Sequence, residues 1–125
     1  MPMKPQNDFT PVFVQLKKIL EPFAPKLTVT IDTPEAYSID GPYSEKWKRM
    51  LFFASAQVRK NYVSFYLMPV YMYPDLLNNI SPELKKHMQG KSCFNFKKVE
   101  PRLFMELNLL TKESFKRFQK EELRK

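Results

Sequence analysis

The chain has 125 residues and a mass of 14.9 kDa, about one domain's length, and its 21 Lys and Arg against 13 Asp and Glu give a formal net charge of +8. It is nonetheless 43% hydrophobic and 14% aromatic, too much apolar side chain for a disordered basic tail. Two Gly argue against a glycine-rich phosphate loop, and one Cys excludes an intramolecular disulfide and a multi-Cys metal knuckle.

Met1 to Asp8 reads as a loose polar arm, with a single domain expected over residues 9–125. Thr10-Pro11 marks a helix start, since Thr can cap free N–H groups and Pro is tolerated in the first turn. Phe13, Leu16, Leu20 and Phe23 then recur at helical spacing until Pro22 and Pro25 stop the helix. Leu27, Val29 and Ile31 alternate with Thr28, Thr30 and Asp32, which predicts a strand with one wet face. A short strand is expected over Ala36 to Ile39, broken before Gly41-Pro42. Met50, Phe52, Ala54, Ala56 and Val58 are expected on one face of the next strand. Arg59-Lys60-Asn61 reads as its turn, and Tyr62 to Met68 as its hairpin partner, with Val63, Phe65 and Leu67 opposite Tyr62, Ser64 and Tyr66. Pro69 ends or edges that strand. Short helical turns are expected at Pro74 and at Pro82, the second capped by Ser81, with Gly90 past its end. Ser92 to Lys97 reads as a short strand, Glu100-Pro101 opens one helix and Thr111 caps another. Strands in a run flanked by helices predict an α+β fold, an antiparallel sheet of about four to five strands between N-terminal and C-terminal helices.

The chemistry is sparse. His87 and Cys93 flank Gly90, but no orienting acid is evident beside them, so no catalytic residue is assigned. No Cys/His cluster and no ligand-spaced carboxylates are present, so no metal ligand and no cofactor are assigned either. Gly90-Lys91-Ser92 lacks the upstream glycine of a phosphate-binding loop and precedes a strand where a helix is required. Basic residues gather at Lys46-Trp47-Lys48-Arg49, Arg59-Lys60, Lys85-Lys86, Lys97-Lys98 and Lys116-Arg117, with Tyr43, Trp47, Tyr62 and Tyr66 among them. Such charge supplies a phosphate-binding term and exposed rings stack on bases, so a nucleic-acid partner is one reading. Lysines on helix surfaces are also ordinary solvation, and no helix-turn-helix or ribonucleoprotein aromatic motif is legible. The longest apolar run, Phe65 to Tyr73, is interrupted by Pro69 and falls well short of a membrane span. A polar opening segment and a lone thiol lead to the expectation of a cytoplasmic protein with no membrane partner, a monomer or weak homodimer.

Three stretches together resemble a known family: Lys60-Asn61-Tyr62-Val63-Ser64-Phe65-Tyr66-Leu67-Met68-Pro69-Val70-Tyr71, Ser81-Pro82-Glu83-Leu84-Lys85, and Gln89-Gly90-Lys91-Ser92-Cys93-Phe94-Asn95-Phe96-Lys97. They are similar to the YdhG-like family of small bacterial domains of unknown function, over about residues 26–123. The resemblance implies a frataxin-like α+β fold. It also brings two functional associations: a frataxin-like iron chaperone in the wider family, and DNA binding in the similarly shaped MmcQ/YjbR group. Iron delivery by frataxin-like proteins uses an acidic ridge on the first helix and neighbouring strand. Here that helix carries Lys17, Lys18 and Glu21, and the strand only Asp32, which disfavours iron. Tyr66 stands where many relatives are expected to carry His, so no metal or acid–base role transfers to it. The expected function is therefore a non-enzymatic binding or accessory protein. Its expected surface is Lys60, Tyr62, Lys91, Ser92, Cys93, Asn95 and Lys97, where a glycine turn and several lysines suit an anionic ligand.

Overall fold

The computed structural model describes residues 9–123, so the expected arm at residues 1–8 lies outside the described residues. One antiparallel sheet of five strands, in spatial order β1-β2-β3-β4-β5, forms the centre. The strands are β1 (Thr28–Thr33), β2 (Ala36–Ser44), β3 (Arg49–Val58), β4 (Val63–Leu67) and β5 (Cys93–Phe96). Helix α1 (Thr10–Leu20) precedes them, α2 (Met68–Met72) and α3 (Pro82–Lys85) lie between β4 and β5, and α4 (Pro101–Phe118) follows. The fold is α+β, as the sequence predicts.

One sheet face is apolar because the register aligns it. Tyr37, Ala56, Phe65 and Phe94 stand in one cross-strand row, and Ile39, Ala54 and Leu67 in the next. All are buried, together with Val12, Phe13, Leu16 and Leu20 of α1 and Phe104, Leu107, Phe115 and Phe118 of α4. Small side chains at Ala54 and Ala56 let α1 come close to the central strand. Lys17 on α1 donates to Asp32 Oδ1 on β1 at 3.1 Å and lies over the Tyr37 ring. That pairing raises the Lys17 ammonium above its ordinary value, chiefly through the hydrogen bond to Asp32. Among the described residues no helix is long and apolar enough to cross a membrane.

Several expectations need correction. The N-cap of α1 is Phe9, and Thr10 lies inside the first turn. In β1 the register slips between Val29 and Ile31, so Thr30 is an extra residue. Val29 then opposes Ile39 on the helix side while Ile31 opposes Ser38 on the other, and both stay exposed at this edge. Strand β2 does not stop at Ile39 but runs through Gly41-Pro42 to Ser44. In β3 the partners Asp40↔Phe52 and Ile39↔Ala54 leave Phe53 as a bulge residue. The bulge turns Phe53 and Ala54 both into the core, so the apolar phase changes there from Leu51 and Phe53 to Ala54 and Ala56. Met50 is consequently exposed and Phe52 only half-buried.

Two helices were expected after Glu100, and one continuous helix spans Pro101–Phe118. Thr111 does not cap; its Oγ1 donates to Leu107 O one turn back at 2.8 Å, the bond a mid-helix Thr makes. The Ser81 cap is as expected, with Leu84 N donating to Ser81 Oγ at 3.1 Å. Ser81 also donates from N and Oγ to the two carboxylate oxygens of Glu106, both at 2.6 Å, which fastens α3 to α4.

Candidate functional site

The sheet face away from the helices carries the expected Cys93 and Asn95. Ser38, Ser55, Tyr66 and Cys93 form one row there, and Ala36, Gln57, Ser64 and Asn95 the next. Asn95 is the most heavily hydrogen-bonded side chain in these rows. Its Oδ1 accepts from Ser64 Oγ at 2.7 Å and from Cys93 Sγ at 3.2 Å, and its Nδ2 donates to Gln89 Oε1 at 2.6 Å. Its backbone N donates to His87 O, and its backbone O accepts from His87 Nδ1, each at 2.8 Å. These bonds hold β5 to β4 and to the segment before Gly90 and occupy both the side-chain oxygen and one side-chain N–H of Asn95. Burial raises the Cys93 thiol above its ordinary value, against the opposing influence of Ser64, Tyr66 and Arg59.

His87 extends this network toward Glu100. Its ring stacks on Phe96 with centroids 4.5 Å apart, and Nε2 lies 3.4 Å from Glu100 Oε2. The imidazole is committed to Asn95 O and Glu100, while the Cys93 thiol is committed to Asn95 Oδ1. Among the described residues no group of three or more His, Cys, Asp or Glu is placed to hold a metal ion.

The remaining expected residues divide between two places. Tyr62, Asn95 and Lys97 line a groove of about 420 Å³ with His87, Lys98 and Glu100. Lys60 is exposed in the turn where Arg59 N donates to Tyr62 O. The Ser92 side chain is half-buried, and its carbonyl accepts from Leu67 N at 2.9 Å. Lys91 lies elsewhere, in a cleft of about 540 Å³ with Lys46, Trp47, Tyr71, Met72, Tyr73, Pro74 and Glu122. An adjoining hollow of about 240 Å³ shares Trp47, Tyr71 and Met72 and adds Arg49, Leu51, Phe52 and Met68. The larger volume lies within the ~300–1,000 Å³ usual for ligand clefts.

Local sequence builds this cleft. The β2–β3 turn closes with Lys48 N donating to Ser44 O at 2.7 Å and Trp47 N to Ser44 Oγ at 3.2 Å. Lys48 takes a left-handed backbone, φ 60°, a conformation that costs a non-glycine residue roughly 1–2 kcal/mol and that concentrates at ligand clamps. Opposite, Pro69 lies in the first turn of α2, which buries Val70 and leaves Tyr71 at the surface. Trp47 is 49% exposed and Tyr71 55%, high values for rings of this size that face the same cleft.

The charges near the cleft differ in how far they are neutralised. Arg117 grips Asp75 through two bonds at 2.9 and 3.1 Å, which lowers the Asp75 carboxyl below its ordinary range. Glu122, the acid lining the cleft, accepts from Tyr73 Oη. Lys46, Arg49 and Lys91 make no ion pair among the described residues. Lys46 Nζ stands 5.2 Å from the Trp47 ring centroid, a cation–π contact. The groove at Lys97 and Lys98 likewise contains one acid, Glu100, and one at Lys86 and Arg102 contains Glu83 and Glu100. What sets the cleft at Trp47 apart is its two exposed rings, Trp47 and Tyr71, beside cations that make no ion pair among the described residues.

Sequence reasoning flagged Lys46 to Arg49 and Lys91 but did not join them, and it missed Tyr71 and Met72. Those two sit inside the apolar run Phe65 to Tyr73, weighed there only against a membrane span. Pro69 was the available signal, because a helical turn there ends the strand's alternation and carries Tyr71 to the surface after the buried Pro69 and Val70. Comparison with protein-family models, with curated proteins and with solved structures returned no match.

Proposed function

We propose that this chain is a non-catalytic cytoplasmic binding module of the YdhG-like type that takes an extended anionic ligand in the cleft between the β2–β3 turn and α2. One observation supports it above the others. Lys46 of the β2–β3 turn, Arg49 at the start of β3 and Lys91 of the segment before β5 come to the same cleft and its adjoining hollow beside one acid, Glu122, and none of the three makes an ion pair among the described residues. Unpaired cations around a concavity raise the local concentration of anions and quicken their capture. The groups a catalyst would draw on are arranged otherwise, with the Cys93 thiol bonded to Asn95 Oδ1 and the His87 ring to Asn95 O and Glu100.

Calorimetric titration with long-chain inorganic polyphosphate over a salt series tests the reading. Affinity is expected to fall linearly on logarithmic axes as salt rises, and Arg49→Ala with Lys91→Ala is expected to remove most of it. Absence of binding at low salt, or binding that survives the double substitution, overturns it.

A further inference from the structure

The cleft is not merely basic. Trp47 and Tyr71, half-exposed, both line it, and the thioether-bearing Met72 lies with them. A purely ionic site gains nothing from two solvent-facing rings, whose exposure in water is unfavourable. Flat π-faces beside cations are the arrangement that meets a base and its phosphate together, because every nucleobase has a face to stack and a phosphate one bond path away. Lys46 over the Trp47 ring already pairs the two elements.

Two features favour a single strand over a duplex. Stacking on a side chain needs an exposed base face, which a duplex conceals. Reading a duplex through its major groove also needs a helix or a two-stranded ribbon laid into it. Tyr71 and Met72 are carried by α2, five residues long, and Trp47 by the turn that holds Lys48 left-handed.

We infer that the cleft is a single-stranded nucleic-acid site in which Trp47 and Tyr71 stack on bases while Lys46, Arg49 and Lys91 contact the flanking phosphates. The inference rests on the anion-binding reading above and narrows its ligand. Three phosphate contacts predict a salt slope of about −2 on logarithmic axes for a single strand.

Trp47 is the sole tryptophan of the chain, so its fluorescence reports the cleft directly. The full chain is titrated at low salt with a short oligo(dT), with an abasic phosphodeoxyribose oligomer of equal length, with the same length of duplex, and with thymidine monophosphate. Oligo(dT) is expected to quench Trp47 and to bind at least about fivefold tighter than the abasic oligomer, since each stacked base is worth ~5- to 150-fold. Followed by anisotropy of a labelled strand, Trp47→Ala and Tyr71→Ala are each expected to shrink that ratio. Both rings are at the surface, and far-ultraviolet circular dichroism checks that the variants remain folded. Equal binding of oligo(dT) and abasic oligomer without quenching overturns the stacking inference and leaves the anion-binding reading standing. Tighter binding of duplex, or equally tight binding of the mononucleotide, also overturns it. Failure of every oligomer to bind overturns both.

Discussion

Replacing Asn95 by Ala separates a structural fastening from a ligand site. The substitution removes the acceptor of Ser64 Oγ and Cys93 Sγ and the donor to Gln89 Oε1. Ser64 is only 1% exposed, so its hydroxyl cannot turn to water in compensation. Leaving such a buried group unmatched costs ~1–3 kcal/mol, and loss of the more exposed bond to Gln89 adds about 0.5–1.5 kcal/mol. The sulfur contact is weak and adds little, so the expected destabilisation is ~2–4 kcal/mol. For a chain of this length that lowers Tm by on the order of 10 °C. Urea unfolding at unchanged slope measures the loss, and a double-mutant cycle with Ser64→Ala should return a coupling of about 1 kcal/mol or more. Anion affinity should stay within about twofold of the parent protein, because Asn95 lies outside the Trp47 cleft. A stability loss under about 0.5 kcal/mol, or absence of coupling, would refute the reading of Asn95 as a fastening; a collapse of anion affinity in a folded variant would refute its exclusion from the site.

Two further outcomes follow from local geometry. Burial holds the Cys93 thiol above its ordinary value, so less thiolate exists at neutral pH and alkylation by iodoacetamide should run slower than that of free glutathione, rising with pH and on unfolding; a rate equal to or above that of glutathione contradicts it. The two glycines should fail for different reasons. Alanine at Gly41 would bring Cβ to 2.9 Å from the Phe118 ring and 3.3 Å from Leu51 O, an overpacking cost of ~1–3 kcal/mol, whereas at Gly90 nothing lies within 4 Å but φ is +80°, a backbone cost of ~1–2 kcal/mol. Adding Phe118→Leu should recover part of the first loss and none of the second, as read by chemical denaturation.

The order of elements was legible because local rules govern it: Pro at the start of helical segments, Ser81 as a cap, and period-two alternation in β4 and β5. Illegible features came from single extra residues. Thr30 and Phe53 each add one position to a strand and reverse the face of everything beyond, yet neither carries a composition signal, since a bulge depends on the neighbouring strand's register. Thr111 reads as a cap because its hydroxyl satisfies either an N–H at a helix start or a carbonyl within a helix, and only the packing of Leu107, Leu110 and Phe115 on the sheet makes it the latter. For the expected surface, the adjacency of Cys93 and Asn95 to Ser64 and Tyr66 was readable from strand phase. Whether those groups were free was not, as that required knowing that Gln89 and His87 fold back onto Asn95. Lys91 could not be joined to Trp47 from sequence, because β3, β4 and two helices separate them along the chain.

Strand order that follows chain order has a kinetic consequence. Each strand of this meander pairs with its predecessor, so the ladder can grow by closing one short loop after another, and only the passage from Leu67 to Cys93 is long. The contact of α1 with α4, by contrast, joins helices with all five strands between them in sequence and must wait for that whole stretch to be made. During synthesis the sheet can therefore assemble before α4 emerges, with Phe65, Phe94 and Phe96 still uncovered. The interval between those two events is when the nascent chain is most open to aggregation, and the length of that interval is set by translation from Cys93 through Phe118.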